Sequence, residues 1–398
     1  MMNIILFDDP AIRSSLLPLT WTRPVAMIRT GIFRIHEKWG HVEKTSVSFL
    51  TEDYLQRKFQ VQYRKDNIYI NGALCPDEEL IFALRHLLPG EALIQKGILL
   101  AVRTGERAVQ QLYDELDAGS IKAVEYKNAV CLIDKPWKIF QQNAAQIRAD
   151  IKKIRAERAS QQITDPHTVI YGRENVFVEE GVSVKAAIID AENGPVYLGK
   201  NSTVLPGAII RGAFAMLDHA QISMGARIRG DSTFGPYTKI GGEVGNSVVF
   251  GYTNKAHDGY LGNSVIGEWC NLGADTNTSN MKNDYGPVRL WDYSTDRFAD
   301  TGTIFCGLIM GDHSKSGINT MFNSGCSVGV SCNIYGPGYP RTFIPSFSKG
   351  GATGLKTLPL KSAVSVAETV LERRAMDFNR YDQEIFQKVF ELTASYRR

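Results

Sequence analysis

Familiar ligand-binding signatures are missing from this chain of 398 residues. The complete phosphate-binding pattern Gly-x-x-x-x-Gly-Lys-Ser/Thr does not occur, and no Gly-x-Gly-x-x-Gly pattern opens a helix. Both common nucleotide fingerprints are therefore absent. The six cysteines include no Cys-x-x-Cys pair, which argues against a zinc site built from thiolates.

Long apolar runs and a large excess of charge are missing as well. No uninterrupted apolar run approaches the roughly 18 residues that span a bilayer. The first nine residues lack the basic region and the long apolar core of a signal peptide. The net charge of +3 gives no reason to expect a nucleic acid or another polyanion as a partner. These absences predict a cytoplasmic protein that binds neither membrane nor nucleic acid.

The composition itself is that of a soluble globular protein, with 43% hydrophobic and 22% charged residues. The length suggests two domains, perhaps with an appendage. Glycine is unevenly distributed, since 26 of the 36 glycines lie between Gly172 and Gly338. This concentration indicates a compositional boundary near residue 165.

Large apolar residues recur at every sixth position in the middle of the chain. The positions are Leu198, Val204, Ile210, Met216, Ile222, Ile228, Phe234 and Ile240. An α-helix, whose inward face repeats every 3.6 residues, does not fit this period. Hexapeptide self-similarity is the signature of a parallel β-helix, in which stacked coils share one continuous apolar interior. A β-sandwich would instead show irregular strand spacing of about 8–12 residues.

The six-residue period fails at two places, Tyr252–Tyr260 and Asp275–Gly302. Residues that break the period are expected to loop out, and loops on a rigid scaffold often carry function. The first break contains His257, whose imidazole suits the removal of a proton from an amine or hydroxyl at neutral pH. The alternative interpretation is a turn histidine bonded to a neighbouring carbonyl group.

The first third of the chain alternates strand-like and helix-like segments, which predicts an α/β domain with a mostly parallel sheet. A helix is predicted from Val25 to Trp39. Ligands of such sheets bind at the carboxyl ends of strands, so the loop after the first strand, Asn3–Phe7, is the expected site. Arg13 and Arg23 in this loop could hold phosphates, because a guanidinium fork matches phosphate oxygens. They could equally be solvated loop residues.

The segment Leu17–Ala26 (Leu-Pro-Leu-Thr-Trp-Thr-Arg-Pro-Val-Ala) resembles the start of a sugar-nucleotidyltransferase-like domain. That domain occurs in the family of the bifunctional N-acetylglucosamine-1-phosphate uridyltransferase/glucosamine-1-phosphate acetyltransferase. The resemblance implies nucleotide binding by Arg13 and Arg23 and a Mg²⁺ ligand at Asn143. The chain departs from the family in lacking the Gly-rich loop, and residues 70–74 offer no Asp for the metal. Losing a carboxylate ligand weakens the case for nucleotidyl transfer.

The segment from His257 to Ala274 resembles, without a gap, the acetyltransferase active site of the same family. The resemblance implies that His257 is the general base that deprotonates the amine. It further implies that Tyr260 and Asn271 contact the sugar phosphate. Ala274 and Asn280 match residues that lie against acetyl-CoA. The stretch before the histidine is about one hexapeptide shorter than in the family, so a different amino sugar is an alternative acceptor.

Together these patterns predict a nucleotidyltransferase-like α/β domain at 1–143, a helical linker at 144–165, a left-handed parallel β-helix at 166–340 and a helical tail at 341–398. The resemblance implies a homotrimer that uses acetyl-CoA to acetylate an amino-sugar phosphate similar to glucosamine-1-phosphate. It also implies nucleotidyl transfer from UTP, with Mg²⁺, to form UDP-N-acetylglucosamine. Two alternatives stay open: an acyltransferase whose N-terminal domain binds a nucleotide sugar without catalysis, and a non-catalytic sugar-nucleotide sensor or scaffold.

Overall fold

The computed structural model describes residues 3–43 and 47–397, and the chain divides into two compact units. Unit 1 comprises the described residues of Met1–Leu16, Thr22–Ile28 and Phe33–Lys135. Unit 2 comprises those of Leu17–Trp21, Arg29–Ile32 and Pro136–Arg398. Within the described ranges, none of the helices combines the length and the apolar character that a membrane-spanning segment needs.

Unit 1 is built on a six-stranded sheet. In spatial order its strands are Ser48–Leu50, Asn3–Phe7, Asn67–Asn71, Ile98–Thr104, Glu91–Gln95 and Lys122–Glu125. Its other elements are the helices Pro10–Ser15, Ile35–Glu43, Asp53–Gln56, Glu78–Arg85 and Val109–Asp117, the 3-10 turn Val25–Met27, and the strand pair Leu74–Cys75 with Cys131–Leu132. Three of the five neighbouring pairs in the main sheet are parallel. The predicted α/β domain with a mostly parallel sheet is therefore confirmed.

The helix predicted from Val25 to Trp39 begins only at Ile35. Residues 29–32 belong instead to unit 2, where the backbone amide of Gly31 donates a hydrogen bond to the side-chain oxygen of Asn143 at 2.7 Å. Gly31 has a φ of 78°, a conformation that suits glycine and breaks a helix. A tertiary contact has overridden the local helical pattern.

Unit 2 starts with the helix Pro136–Glu157, so the predicted domain boundary at residue 143 falls inside a helix. The chain then winds into a β-helix whose strands stack into three sheets, which we call faces 1, 2 and 3. Face 1 consists of Val176–Val178, Val196–Leu198, Phe214–Met216, Ser232–Phe234, Val248–Gly251, Val265–Glu268, Leu308–Met310, Cys326–Val328 and Phe343–Ile344. Face 2 consists of Ser183–Val184, Thr203–Val204, Gln221–Ile222, Lys239–Ile240, Asn254–Lys255, Asn271–Leu272, Lys315–Ser316, Asn333–Ile334, Ser348–Gly351 and Gly354–Thr357. Face 3 consists of Val169–Tyr171, Ile188–Asp190, Ile209–Arg211, Arg227–Ile228, Glu243–Gly245 and Tyr260–Gly262.

The coils stack in parallel register along these faces. On face 2, for example, Val204 pairs with Ile222, one coil later. A separate parallel pair joins Asn277–Thr278 to Met321–Phe322. All eight residues found at six-residue spacing in the sequence are buried in one continuous core inside the coils. The predicted parallel β-helix is confirmed.

The first interruption, Tyr252–Tyr260, is not a looped-out segment, and that part of the prediction is wrong. A regular coil has 18 residues between register partners. Thr233, however, pairs with Val248 after only 15 residues, and Val248 pairs with Val265 after 17. The period fails because these coils are shortened, and Asn254–Lys255 keeps its place in face 2.

The second interruption, Asp275–Gly302, is a true insertion. It lengthens one coil to 44 residues between register partners on face 1. The inserted segment contains an antiparallel hairpin of Arg289–Asp292 and Arg297–Asp300. The ring of Trp291 in this hairpin stacks on Phe343 with 4.1 Å between ring centroids. The insertion therefore packs against the last coil of its own chain.

The helical tail is confirmed. It consists of Leu360–Glu372, Arg380–Leu392 and a 3-10 turn at Ala394–Arg397. Phe386 and Phe390 of the second helix contact the ring of Phe347, with centroid distances of 5.7 and 5.1 Å. The tail thus packs on the final coils of the β-helix.

We expect the inward column to dominate the stability of unit 2. Ile240→Ala should lower the free energy of unfolding by about 2–5 kcal/mol, because it removes a fully buried side chain and leaves a cavity. Lys239→Ala, the outward residue of the same strand, should change it by less than about 0.5 kcal/mol. Urea denaturation of the full chain measures both values. Equal effects of the two substitutions would contradict this assignment of inside and outside.

Candidate functional site

His257 lies in the turn that joins face 2 to face 3, and its side chain is exposed. Within the described part of the chain its imidazole has no hydrogen-bond partner, which speaks against the alternative of a carbonyl-bonded turn histidine. Two residues later, Gly259 has a φ of 111°, and a Cβ there would collide with the carbonyl oxygen of Thr276 in the next coil. Only glycine fits this position. The turn therefore presents an open imidazole on tightly stacked backbone.

Lys255, two residues before His257, points into the β-helix and is almost completely buried. Its ammonium donates hydrogen bonds to the carbonyl oxygens of His257 at 2.8 Å and Gly241 at 3.0 Å. A third, longer bond of 3.3 Å reaches the carbonyl oxygen of Asp258. Sequence reasoning overlooked this residue. The signal that reveals it is a lysine in the inward column, where the neighbouring coils carry aliphatic residues.

Two predicted site residues, Tyr260 and Asn280, are brought into direct contact. The side-chain amide of Asn280 donates to the Tyr260 hydroxyl at 3.0 Å and to the side-chain oxygen of Asn263 at 2.7 Å. A Cβ at Gly262 would collide with the same hydroxyl, so this glycine makes room for the pair. Burial raises the pKa of Tyr260, which keeps its hydroxyl protonated and able to donate to a ligand at neutral pH. Asn263 was not predicted, because nothing in its local pattern distinguishes it.

Ala274 occupies the turn that corresponds to the His257 turn, one coil further along. The amide of Asp275 donates to the carbonyl oxygen of Asp258 at 3.1 Å, which holds the two turns against each other. Asn271 lies on face 2 immediately before the second turn, with its side chain exposed. The structure thus places these predicted residues along one edge of the β-helix. Their individual roles stay predictions.

Arg13 in unit 1 is enclosed by its own chain. Its guanidinium donates to a carboxylate oxygen of Asp8 at 2.8 Å, to the carbonyl oxygen of Arg23 at 3.1 Å and to the hydroxyl of Tyr54 at 2.9 Å. The other carboxylate oxygen of Asp8 accepts from the amide of Val25 at 2.8 Å. The predicted phosphate contact of Arg13 is therefore corrected, because a buried and paired guanidinium is not available to a ligand. Arg23 is buried too, and its nucleotide contact stays a prediction.

Asn143, the predicted Mg²⁺ ligand, has a structural role within unit 2. Its side-chain oxygen accepts hydrogen bonds from the amide of Gly31 at 2.7 Å and the hydroxyl of Thr233 at 3.1 Å. Its side-chain nitrogen donates to the carbonyl oxygen of Asp231 at 3.1 Å. Both lone pairs of the oxygen are used, so the prediction is corrected. Among residues 3–43 and 47–397, no cluster of three or more His, Cys, Asp or Glu could hold a metal ion.

Sequence comparisons relate this geometry to known proteins. Residues 4–159 match the family model described as sugar nucleotidyl transferase. The chain is 27% identical over 243 residues to the bifunctional protein GlmU of Methanococcus aeolicus, which covers 58% of this chain and 50% of that protein. It is 26% identical over 240 residues to a bifunctional sugar-1-phosphate nucleotidylyltransferase/acetyltransferase of Sulfurisphaera tokodaii, with coverages of 59% and 53%. The chain thus spans about half the length of these curated relatives.

Among solved structures, an Arabidopsis UDP-N-acetylglucosamine acyltransferase aligns at 16% identity. The alignment covers 59% of this chain and 82% of that one, with a TM-score of 0.29, which is too low to support a conclusion. The family model and the curated relatives carry the assignment instead. They identify the chain as a member of the GlmU-like family with a sugar nucleotidyl transferase domain in residues 4–159.

Proposed function

We propose that unit 2 transfers an acetyl group from acetyl-CoA to the amine of an amino-sugar phosphate, with His257 as the general base. The observation that carries the proposal is an exposed imidazole on a turn locked between two coils. The adjacent Tyr260–Asn280 pair offers a hydroxyl and an amide at the same edge. The name of the Sulfurisphaera tokodaii relative, which includes acetyltransferase, agrees with this chemistry.

In the proposed reaction the neutral amine nitrogen attacks the carbonyl carbon of the thioester. The imidazole of His257 takes the proton that the nitrogen loses as the new C–N bond forms. Backbone amides at the edge stabilise the negative charge on the carbonyl oxygen. The C–S bond then breaks, and the CoA thiolate takes the proton back from the imidazolium. The products are an N-acetylated sugar phosphate and CoA with a free thiol.

The residues around His257 divide into a sugar side and an acetyl-CoA side. Tyr260 and Asn271 would donate hydrogen bonds to the sugar phosphate, whereas Ala274 and Asn280 would lie against the acyl donor. Because Asn280 is bonded directly to the Tyr260 hydroxyl, the two substrates would meet at this pair. The proposed acceptor is a glucosamine-1-phosphate-like amino sugar.

Replacing the base should abolish most of the acetyl transfer. We expect His257→Ala to lower kcat by about 10²–10⁴-fold, the usual contribution of a positioned general base. Release of free thiol from acetyl-CoA, measured with a panel of amino-sugar phosphates, reports the rate. His167→Ala removes another exposed histidine of unit 2 and should leave the rate unchanged. Undiminished turnover in His257→Ala would disprove the proposed mechanism.

For unit 1 we infer nucleotide-sugar binding without nucleotidyl transfer. Asn71 lies where the family has a metal-binding Asp, and its side chain is used by the carbonyl oxygen of Leu99 and the amide of Ala73, both at 3.1 Å. Arg13 and Asn143 are engaged as well. The residues present therefore do not fit a Mg²⁺ site. Nucleotidyl transfer that forms UDP-N-acetylglucosamine is the second candidate, favoured by the family match of residues 4–159.

A pyrophosphate assay separates these two candidates. With UTP, N-acetylglucosamine-1-phosphate and Mg²⁺, we expect no pyrophosphate release above background, because the metal ligands are missing. Binding of UDP-N-acetylglucosamine should still be detectable by calorimetry and should weaken in Arg23→Ala. Enzymatic pyrophosphate release that requires Mg²⁺ would instead establish the second candidate.

We also infer a homotrimer, supported by an apolar row on the outside of face 3. Val169, Ile188 and Ile209 are register partners that point outward, with exposed fractions of 46%, 41% and 45%. Contiguous aliphatic side chains on one sheet face are typical of a buried interface. The Glu243–Tyr260 pairing belongs to the same face, so a neighbouring copy there would approach the acetyltransferase edge.

Charge placed on this row should separate the subunits. We expect Ile188→Glu to convert a trimer into monomers, because three carboxylates would be buried close together. Size-exclusion chromatography with light scattering gives the mass of each species. Val366→Glu, on an exposed apolar position of the tail, should leave the trimer intact. A trimeric Ile188→Glu variant would rule out face 3 as the interface.

A further inference from the structure

One inward position of the β-helix is occupied by a cation. The aliphatic residues that occupy this position in other coils of face 2 are Val184, Val204, Ile222, Ile240 and Leu272. Lys255 is the register partner of Ile240, and its side chain is only 1% exposed. Burial of an ammonium opposes folding unless hydrogen bonds compensate for the lost water. An aliphatic residue would pack at this position without that penalty.

The position of Lys255 relative to the His257 turn gives this cation a purpose. Its three acceptors are the carbonyl oxygens of Gly241, in the preceding coil, and of His257 and Asp258, in its own turn. The Asp258 oxygen also accepts from Asp275 of the following coil at 3.1 Å. One ammonium therefore connects the turn to the coils on both sides of it.

The same turn forms elsewhere without a buried cation. After Ile240 and after Leu272 the chain passes from face 2 towards the next strand with aliphatic side chains inside. The β-helix therefore does not need a lysine to make this turn. What distinguishes the turn of Lys255 is the exposed imidazole that it carries and the shortened coil in which it lies.

We propose that Lys255 is a positioning residue for acetyl transfer, whose ammonium fixes the backbone of the turn and thereby directs the imidazole of His257 towards the substrate amine. This inference rests on the proposed function of His257 as the base. Lys255 itself touches neither substrate nor reacting atoms, and it acts through the carbonyl groups that it binds.

Titration of the ammonium makes this role measurable. Burial lowers the pKa of Lys255 to about 8, while the carboxylates of Asp258 and Asp275 act in the opposite direction. Below this pH the ammonium offers three donors to three carbonyl oxygens, and above it the neutral amine offers two. Because the pKa of an unfolded lysine is about 10.5, the unfolded chain binds more protons between pH 8 and 10.5. Lys255 therefore makes stability rise over this window while the turn loses a hydrogen bond.

The test measures acetyl transfer by the full chain between pH 6 and 10. Lys255→Met should lower kcat about 10–100-fold and leave the KM for acetyl-CoA within about twofold, because misplacement of the base leaves the binding groups intact. The wild-type rate should fall as the pH rises through about 8, and the variant should lack this step. Lys185→Met, an exposed lysine of an early coil, serves as the control and should behave as wild type. Wild-type kcat and pH profile in Lys255→Met would overturn the proposal.

A second measurement is independent of catalysis. The chain has seven histidines, so the ring signal of His257 in histidine-labelled protein can be assigned by its loss in His257→Gln. This signal should show an inflection near pH 8 that Lys255→Met lacks. An inflection in a wild type that acetylates no acceptor would refute the acetyl transfer and keep the coupling of Lys255 to the turn. An active wild type without the inflection would refute the positioning role, even if Lys255→Met failed to fold.

Discussion

Each coil of the β-helix must bury one inward side chain per strand, and the rest of unit 2 depends on this constraint. A two-residue strand such as Lys239–Ile240 has a single inward residue, and no coil can cover its own apolar surface. The coils therefore stack in register, and the backbone of each turn is held by the turns before and after it. A side chain on a turn, such as His257, obtains a defined direction without packing of its own.

Shortened coils, and not an extended loop, form the candidate acetyltransferase edge. The coil that ends at Val248 has three residues fewer than a regular one, so its turns have little freedom. Gly259 is required because the next coil passes too close for a side chain. A mobile loop would lose entropy when it ordered around a substrate, whereas a tight turn has already lost it during folding. The geometry thus favours an imidazole that is in place before the substrates arrive.

The sequence predicts the architecture of unit 2 well because the inward pattern is repeated in every coil, and each repeat adds evidence. It does not predict which polar groups are already occupied. Arg13 finds the hydroxyl of Tyr54 41 residues away, and Asn143 finds the amide of Gly31 112 residues away. Such long-range contacts leave no local pattern, so both residues were wrongly expected to contact ligands. Lys255 could have been found, because a charge in an otherwise apolar column is visible in the sequence.

Arg13 and Lys255 illustrate how the acceptor determines what a buried cation can do. The guanidinium of Arg13 is charged at every accessible pH and faces a carboxylate, so its contact with Asp8 is permanent and suits the closure of a loop. The ammonium of Lys255 is bonded only to carbonyl oxygens, which stabilise its charge less completely, and its pKa falls to about 8. Leucine at this position would leave those oxygens without a donor, and arginine would bring five donors to three acceptors. Lysine alone combines a long apolar stem, which fits the interior, with a compact head that matches the three carbonyl groups around the base.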